Sequence, residues 1–174
     1  MTDFIRGIQE AGTRASRIVA DMLAYSRGTS TDFQPARVGE MLDTVVRLAA
    51  SDYDLKKKYD FRQIEIRREY EAGLPEIQCE GSQLQQVFLN IISNSRYALN
   101  EKYPDNNTMK KLTIEINPVH SNGDIAVQTI FTDYGPGISA DIVKKAVNPF
   151  FSTKPKGKGT GLGLTISTRI IENH

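Results

Sequence analysis

The run KPKGKGTGLGL at residues 154–164 constrains this chain more than any other stretch. Glycines stand at 157, 159, 161 and 163, with lysines at 154, 156 and 158. Each glycine costs roughly 0.5–1 kcal/mol of folding entropy relative to alanine. A fold that keeps four of them in alternation is using the backbone itself. Alternating glycines let backbone N–H groups come close to a ligand, and lysines favour an anionic one. A phosphate chain meets both demands. A flexible, solvated loop fits the same composition. Two named phosphate motifs are absent: Gly157-Lys158 is followed by Gly159 where a P-loop needs Ser or Thr, and Leu162 breaks the GxGxxG pattern.

Composition narrows the partners. With 174 residues, 39% hydrophobic and 25% charged, the chain is long enough to bury a core. Basic and acidic residues number 22 and 21, so nothing global points to nucleic acid or to a membrane surface. The single cysteine, Cys79, excludes an internal disulfide and suits a reducing cytoplasm. No apolar run approaches the roughly 18 residues of a membrane span. His120 and His174 are the only histidines, which leaves no His/Cys metal cluster.

The N-terminal segment carries Phe4, Ile8, Ala11, Ala15, Ile18, Met22 and Tyr25 at alternating spacings of four and three. That a/d seam predicts a helix packed in a coiled-coil-like bundle, although a surface helix of one compact domain has the same period. Residues 28–35, GTSTDFQP, read as a linker. Val38, Met41, Leu42, Val45, Val46 and Ala49 mark a second helix. Strands are predicted at 64–70, 77–79, 111–119 and 125–132, the last two joined by the turn Ser121 to Asp124. Ser82 with Gln85 reads as a capping box opening a helix to about residue 100. A helical turn near Ser139 and a last helix from about Gly161 to Asn173 complete the chain. Helices and strands mix without βαβ alternation, which makes the fold α+β.

The capped helix turns a broad apolar face that includes Leu84, Val87, Phe88 and Ile92. Asn90 and Asn94 lie one turn apart at its border, so both amides point the same way. A polar flank accounts for one asparagine. Two suggest oxygen ligands for a hard cation such as Mg²⁺, which takes few protein oxygens and completes its shell with phosphates and water. A later strand ends in Asp133-Tyr-Gly-Pro-Gly-Ile138. This is turn chemistry, and its carboxylate is also an acceptor for an amino group such as adenine N6. Residues 148–154, NPFFSTK, then lead into the glycine run. Phe150 and Phe151 serve there either as core residues or as anchors of a mobile loop.

Taken in order, NxxxN on a helix, DxGxG after a strand, FFSTK and GxGTGLGL resemble the nucleotide-binding sequence of the sensor histidine kinases, part of a superfamily with gyrase, chaperone and mismatch-repair ATPases. Residues 14–27, RASRIVADMLAYSR, resemble the second helix of that family's dimerisation hairpin. The resemblance implies a two-layer sandwich of a mixed β-sheet and three helices, preceded by one long helix of a dimerisation bundle. Residues 1–28 would be that helix, 29–36 a linker and 37–174 the ATP-binding catalytic domain. It further implies that Asn94 holds Mg²⁺ with Asn90 beside it on the phosphate side. Asp133 would read the adenine amino group, with Gly135, Gly137 and Ile138 shaping its pocket. Phe150 to Lys154 would begin a lid, with Phe151 and Thr153 among the nucleotide contacts and Lys154 reaching the phosphates. Gly157, Lys158, Gly159, Thr160, Gly161, Leu162 and Gly163 would wrap them at the start of the last helix. The catalytic set is then Asn90, Asn94 and Lys154.

Three functions compete within that superfamily. The gyrase-like ATPases have a glutamate as general base where this chain has Asn90, which cannot take a proton. A kinase needs no activated water, because its nucleophile is a histidine on another module. A degenerate member acts as a scaffold without nucleotide, but every implied ATP contact is present here. The expected activity is therefore protein-histidine kinase, donating the ATP γ-phosphate to a histidine for relay to an aspartate of a response regulator. The implied setting is a cytoplasmic region, homodimeric in the full protein, binding ATP or ADP without nucleic-acid or membrane contact. The family's phosphoacceptor histidine would precede residue 1, and its final β-hairpin would follow residue 174. The expectation is thus half a dimerisation hairpin with most of a catalytic domain, unable to phosphorylate itself.

Overall fold

The computed structural model describes residues 12, 16, 32–51, 61–105, 107–121, 123–155 and 159–174. The heptad seam from Phe4 to Tyr25, the first linker residues, Gly157 and Lys158 lie outside the described residues. The rest falls into two compact units: residues 32–139 together with His174, and Ala140–Asn173.

Alternation builds the sheet of the first unit. Strand β1 is Gln34–Ala36, β2 is Glu65–Tyr70, β3 is Ile77–Cys79, β4 is Lys111–Ser121 and β5 is Asp124–Asp133. The order β2-β4-β5 forms a three-stranded mixed sheet, with β2 parallel to β4 and β5 antiparallel to it. Leu112, Ile114 and Ile116 point to one face of β4 and are fully buried, as period-two alternation requires. The opposite face carries charged residues at the β2–β4 pairing. There Arg67 Nε pairs with Glu65 at 2.8 Å and Lys111 Nζ with the same carboxylate at 3.6 Å. Gly123 (φ 91°) makes the tight β4–β5 connection where the Asn-Gly sequence predicts it.

Two amphipathic helices cover the apolar face. Helix α1 (Val38–Ser51) buries Val38, Leu42, Val45, Val46 and Ala49, spaced three and four apart. Helix α2 (Gly81–Lys102) buries Leu84, Val87, Phe88, Ile92 and Leu99, and packs against α1. A Cβ on Gly39 would sit 3.3 Å from the Tyr70 ring and 3.9 Å from Ile116, so α1 enters close over β2 and β4. Phe88 of α2 meets Phe131 of β5 with ring centroids 6.1 Å apart. Tyr70 is the register partner of Ile116, and Phe131 that of Ile114. Both helices therefore lie on the same side of the sheet, which gives two layers.

Two details depart from the sequence expectation. Residues 34–36, at the end of the expected linker, form β1 and pair with β3 in a separate two-stranded ladder. The start of α2 is also set differently. Its N-cap is Glu80, not Ser82: the Glu80 carboxylate accepts from the backbone N–H of Ser82 (3.2 Å) and Gln83 (3.0 Å), and from the Ser82 hydroxyl (2.8 Å). An acidic cap satisfies two orphan donors and also faces the positive end of the helix dipole.

In the second unit, α3 is the single turn Ala140–Val143 and α4 is Gly163–Glu172. Helix α4 buries Ile166, Ser167 and Ile170. Thr165 Oγ1 donates to the carbonyl of Val147 at 2.8 Å, tying α4 to the turns that follow α3.

Candidate functional site

Helix α2 carries Asn90 and Asn94 half-buried, one turn apart as their spacing predicts. Asp133 is the last residue of β5 and the register partner of Leu112, whose side chain points to the helix layer. Directly opposed residues share a face, so the Asp133 carboxylate also turns toward the helices at the sheet's end. Its Oδ1 accepts the Gly135 N–H at 2.9 Å, closing a local turn. A Cβ on Gly135 would lie 2.6 Å from that oxygen and 3.0 Å from the Cβ of Ala98. Only glycine fits this close approach. The Asp133–Gly135 turn therefore sits on α2 one turn beyond Asn94. Gly137 adopts φ 75°, and Ile138 is exposed.

The residues of the phosphate-loop expectation lie in the second unit. Phe150 is 66% exposed and holds φ 64°, a left-handed conformation that strains a bulky side chain. Gly161 at φ 69° approaches it so closely that a Cβ there would lie 2.7 Å from the Phe150 Cα. A Cβ on Gly159 would meet Ser152 Oγ at 2.6 Å and Lys154 Cδ at 3.2 Å. Two glycines of the run are thus seated on the Phe-Phe-Ser-Thr-Lys segment by steric need. Phe151 and Lys154 are half-buried and Thr153 is exposed. Ser152 Oγ accepts from the Lys154 N–H at 3.2 Å, and Thr160 Oγ1 from the Leu162 N–H at 3.3 Å. Helix α4 starts at Leu162–Gly163 with no side chain capping it. Its first N–H groups and dipole form the type of helix end that accepts anions.

Two residues beside the turn were given no role in the site by the sequence. Ala98 lies beneath Gly135, its Cβ 3.0 Å from where a Gly135 Cβ would stand, and Lys102 Nζ donates to the carbonyls of Tyr134 and Gly135, both at 2.9 Å. The only signal in the sequence is that Asn90, Asn94, Ala98 and Lys102 continue one row at i, i+4 along α2.

Residues 79–174 match the family of histidine kinase-, DNA gyrase B- and HSP90-like ATPases. The chain belongs to this family, and its matched region is the ATP-binding catalytic domain of the sensor-histidine-kinase type. Among its relatives is the sensory histidine kinase/phosphatase NtrB of Vibrio alginolyticus, 34% identical over 100% of this chain and 47% of that protein. The sensor histidine kinase ZraS of Escherichia coli is 29% identical over 92% of this chain and 30% of its own length. The chain thus spans less than half the length of these relatives. Solved structures share the fold. Full-length ShkA in complex with AMPPNP superposes with TM-score 0.69 at 21% identity, over 97% of this chain and 33% of that one. The histidine kinase AdeS of Acinetobacter baumannii gives 0.66 at 17% identity, over 97% and 72%.

Proposed function

We propose that this chain binds ATP as its Mg²⁺ complex and transfers the γ-phosphate to a histidine carried on a helical hairpin. In the full protein the phosphoryl group then passes to an aspartate of a response regulator in the cytoplasm. The observation that carries this reading is the seating of the Asp133–Gly135 turn on α2, the helix of Asn90 and Asn94. It pairs a carboxylate acceptor with a row of amide oxygens. Asp133 would accept from the adenine amino group, and Gly135, Gly137 and Ile138 would line the base. Lys154, Thr160 and the backbone of Gly157, Lys158, Gly159, Gly161, Leu162 and Gly163 would hold the phosphates, with Phe151 and Thr153 placing Lys154.

The donor set fits Mg²⁺. Among the described residues no three His, Cys, Asp or Glu side chains group to hold a metal. An ion that draws one or two amide oxygens from the protein and the rest from phosphates and water suits Asn94 with Asn90. When bound, Mg²⁺ neutralises charge on the β- and γ-phosphates. The protein's own part would be positioning: Lys154 and the α4 end would stabilise developing negative charge. Asn90 cannot act as a base for water, which favours the kinase over the ATPase branch. No helix among the described residues is long and apolar enough to cross a membrane.

Calorimetric titration tests the assignment. ATP is expected to bind more tightly with Mg²⁺ than without. Asp133→Ala is expected to weaken ATP by about 1–3 kcal/mol, since it removes the proposed charged acceptor of the adenine amino group. Unchanged ATP affinity in that variant overturns the role of Asp133.

A further inference from the structure

We propose that Lys102 is a specificity-determining positioning residue, fixing the Asp133 carboxylate so that it discriminates purines bearing a 6-amino group from those without one. The inference rests on the reading of Asp133 above and names the residue that makes it selective. A carboxylate at the exposed end of a strand selects an amino donor only if its orientation is fixed before the base arrives. Asp133 Oδ1 is engaged by the Gly135 N–H at 2.9 Å, while Oδ2 makes no hydrogen bond among the described residues. Whatever holds Gly135 therefore holds Asp133.

Lys102 does so from the helix side. Its Nζ bridges the carbonyls of Tyr134 and Gly135, the two peptide groups around the residue that binds Oδ1. Hydrogen bonds from a charged donor to two carbonyls are stronger than neutral ones. From the strand side, the Tyr134 N–H donates to the Lys111 carbonyl at 3.4 Å. The two anchors are themselves joined. Lys110 is 1% exposed, and its Nζ donates to Asn100 Oδ1 (3.1 Å) and Gln63 Oε1 (3.2 Å), locking the start of β4 to the last turns of α2. Asn100 Nδ2 in turn donates to the Arg96 carbonyl at 2.8 Å. The turn is thus clamped between two elements that cannot drift apart. Lys102 lies eight residues beyond Asn94 on the same row, about 12 Å along the axis. One helix would then place both the amides and the clamp on the base-reading turn.

The experiment compares ATP with inosine triphosphate, which carries a 6-oxo group in place of the amino donor. Affinities of the chain and of its Lys102→Met, Lys102→Gln and Lys102→Arg variants are measured by calorimetry, with melting temperatures alongside. Lys102→Met keeps the apolar stem, and Lys102→Gln keeps a shorter neutral donor. Both are expected to weaken ATP about two- to tenfold and inosine triphosphate less, so the preference for ATP shrinks. Lys102→Arg is expected to restore the preference. An unchanged preference in both Lys102→Met and Lys102→Gln overturns the inference while the reading of Asp133 stands. Equal weakening of both nucleotides, or a lower melting temperature with the preference intact, makes Lys102 merely structural and also overturns it. No preference in the unaltered chain overturns the reading of Asp133 and the inference with it.

Discussion

Tyr70, at the end of β2, shows how one residue ties α1 to the sheet. Its hydroxyl donates to Asp43 of α1 at 3.4 Å, and Arg68 Nε pairs with the same carboxylate at 2.9 Å. Burial, and secondarily the Asp43 charge, push the phenol up to about 12 from its ordinary value of 10.0. The folded chain therefore keeps this proton at a pH where the unfolded chain has lost it. The linked stability is present below pH 10 and is lost as pH rises from there toward about 12. Denaturant unfolding at a series of alkaline pH values is expected to show a steeper fall for the unaltered chain than for Tyr70→Phe, and parallel curves would contradict the coupling. Residues of this type are not legible in a sequence, because the shift comes from tertiary neighbours. Asp133 and Gly135 were legible, since an Asp-x-Gly turn is local chemistry. Lys110 was not. Beside Lys111 it looks like a solvated charge, and only tertiary packing brings Asn100 of α2 and Gln63, just before β2, to its ammonium.

Elements were easier to read than their ends. Alternating apolar residues marked β4 and β5, and a 3.6-residue period marked α1 and α2, because both patterns follow from burying one face. Strand β1 was hidden by its length of three residues and by Pro35, which reads as linker. A proline is admissible on a short edge strand, where one N–H can go unused. The start of α2 was misread because Ser82 and Gln85 match a capping box, while a glutamate two residues earlier reaches the same donors with two oxygens. The two assignments differ in what they expect. With Glu80 as the cap, Glu80→Ala is expected to cost about 1 kcal/mol of unfolding free energy, and Ser82→Ala clearly less. Denaturant midpoints of the two variants check this, and the reverse order would restore Ser82 as the cap. The consequence is functional, because α2 carries Asn90, Asn94 and Lys102 on one rigid body.

At the scale of the whole molecule, the proposed function separates phosphate holding from phosphate accepting. Phosphoryl transfer asks a protein mainly for positioning and charge neutralisation, and Lys154, Thr160 and the start of α4 are suited to both. Acceptance needs a histidine on an exposed helical surface. The chain's two histidines lack that setting: His120 is on β4, and His174 follows α4 and accepts from the Glu80 N–H at 3.0 Å. Hydrolysis needs a base for water, and Asn90 is not one. The expected outcome is therefore slow ATP turnover, no self-labelling, and transfer only to a histidine supplied in trans. Mixing the chain with a separate dimerisation hairpin from a full-length relative, in the presence of radiolabelled ATP, should place acid-labile phosphate on the hairpin and none on the chain. Replacing Asn94 by Ala should abolish the transfer, because its amide oxygen is the proposed protein ligand of Mg²⁺. Rapid hydrolysis by the chain alone would instead place it with the water-activating ATPases. Tight ATP binding without transfer to any hairpin would mark it as a nucleotide-binding scaffold. The three results are mutually exclusive, since each assigns the γ-phosphate a different fate: a histidine nitrogen, water, or no acceptor.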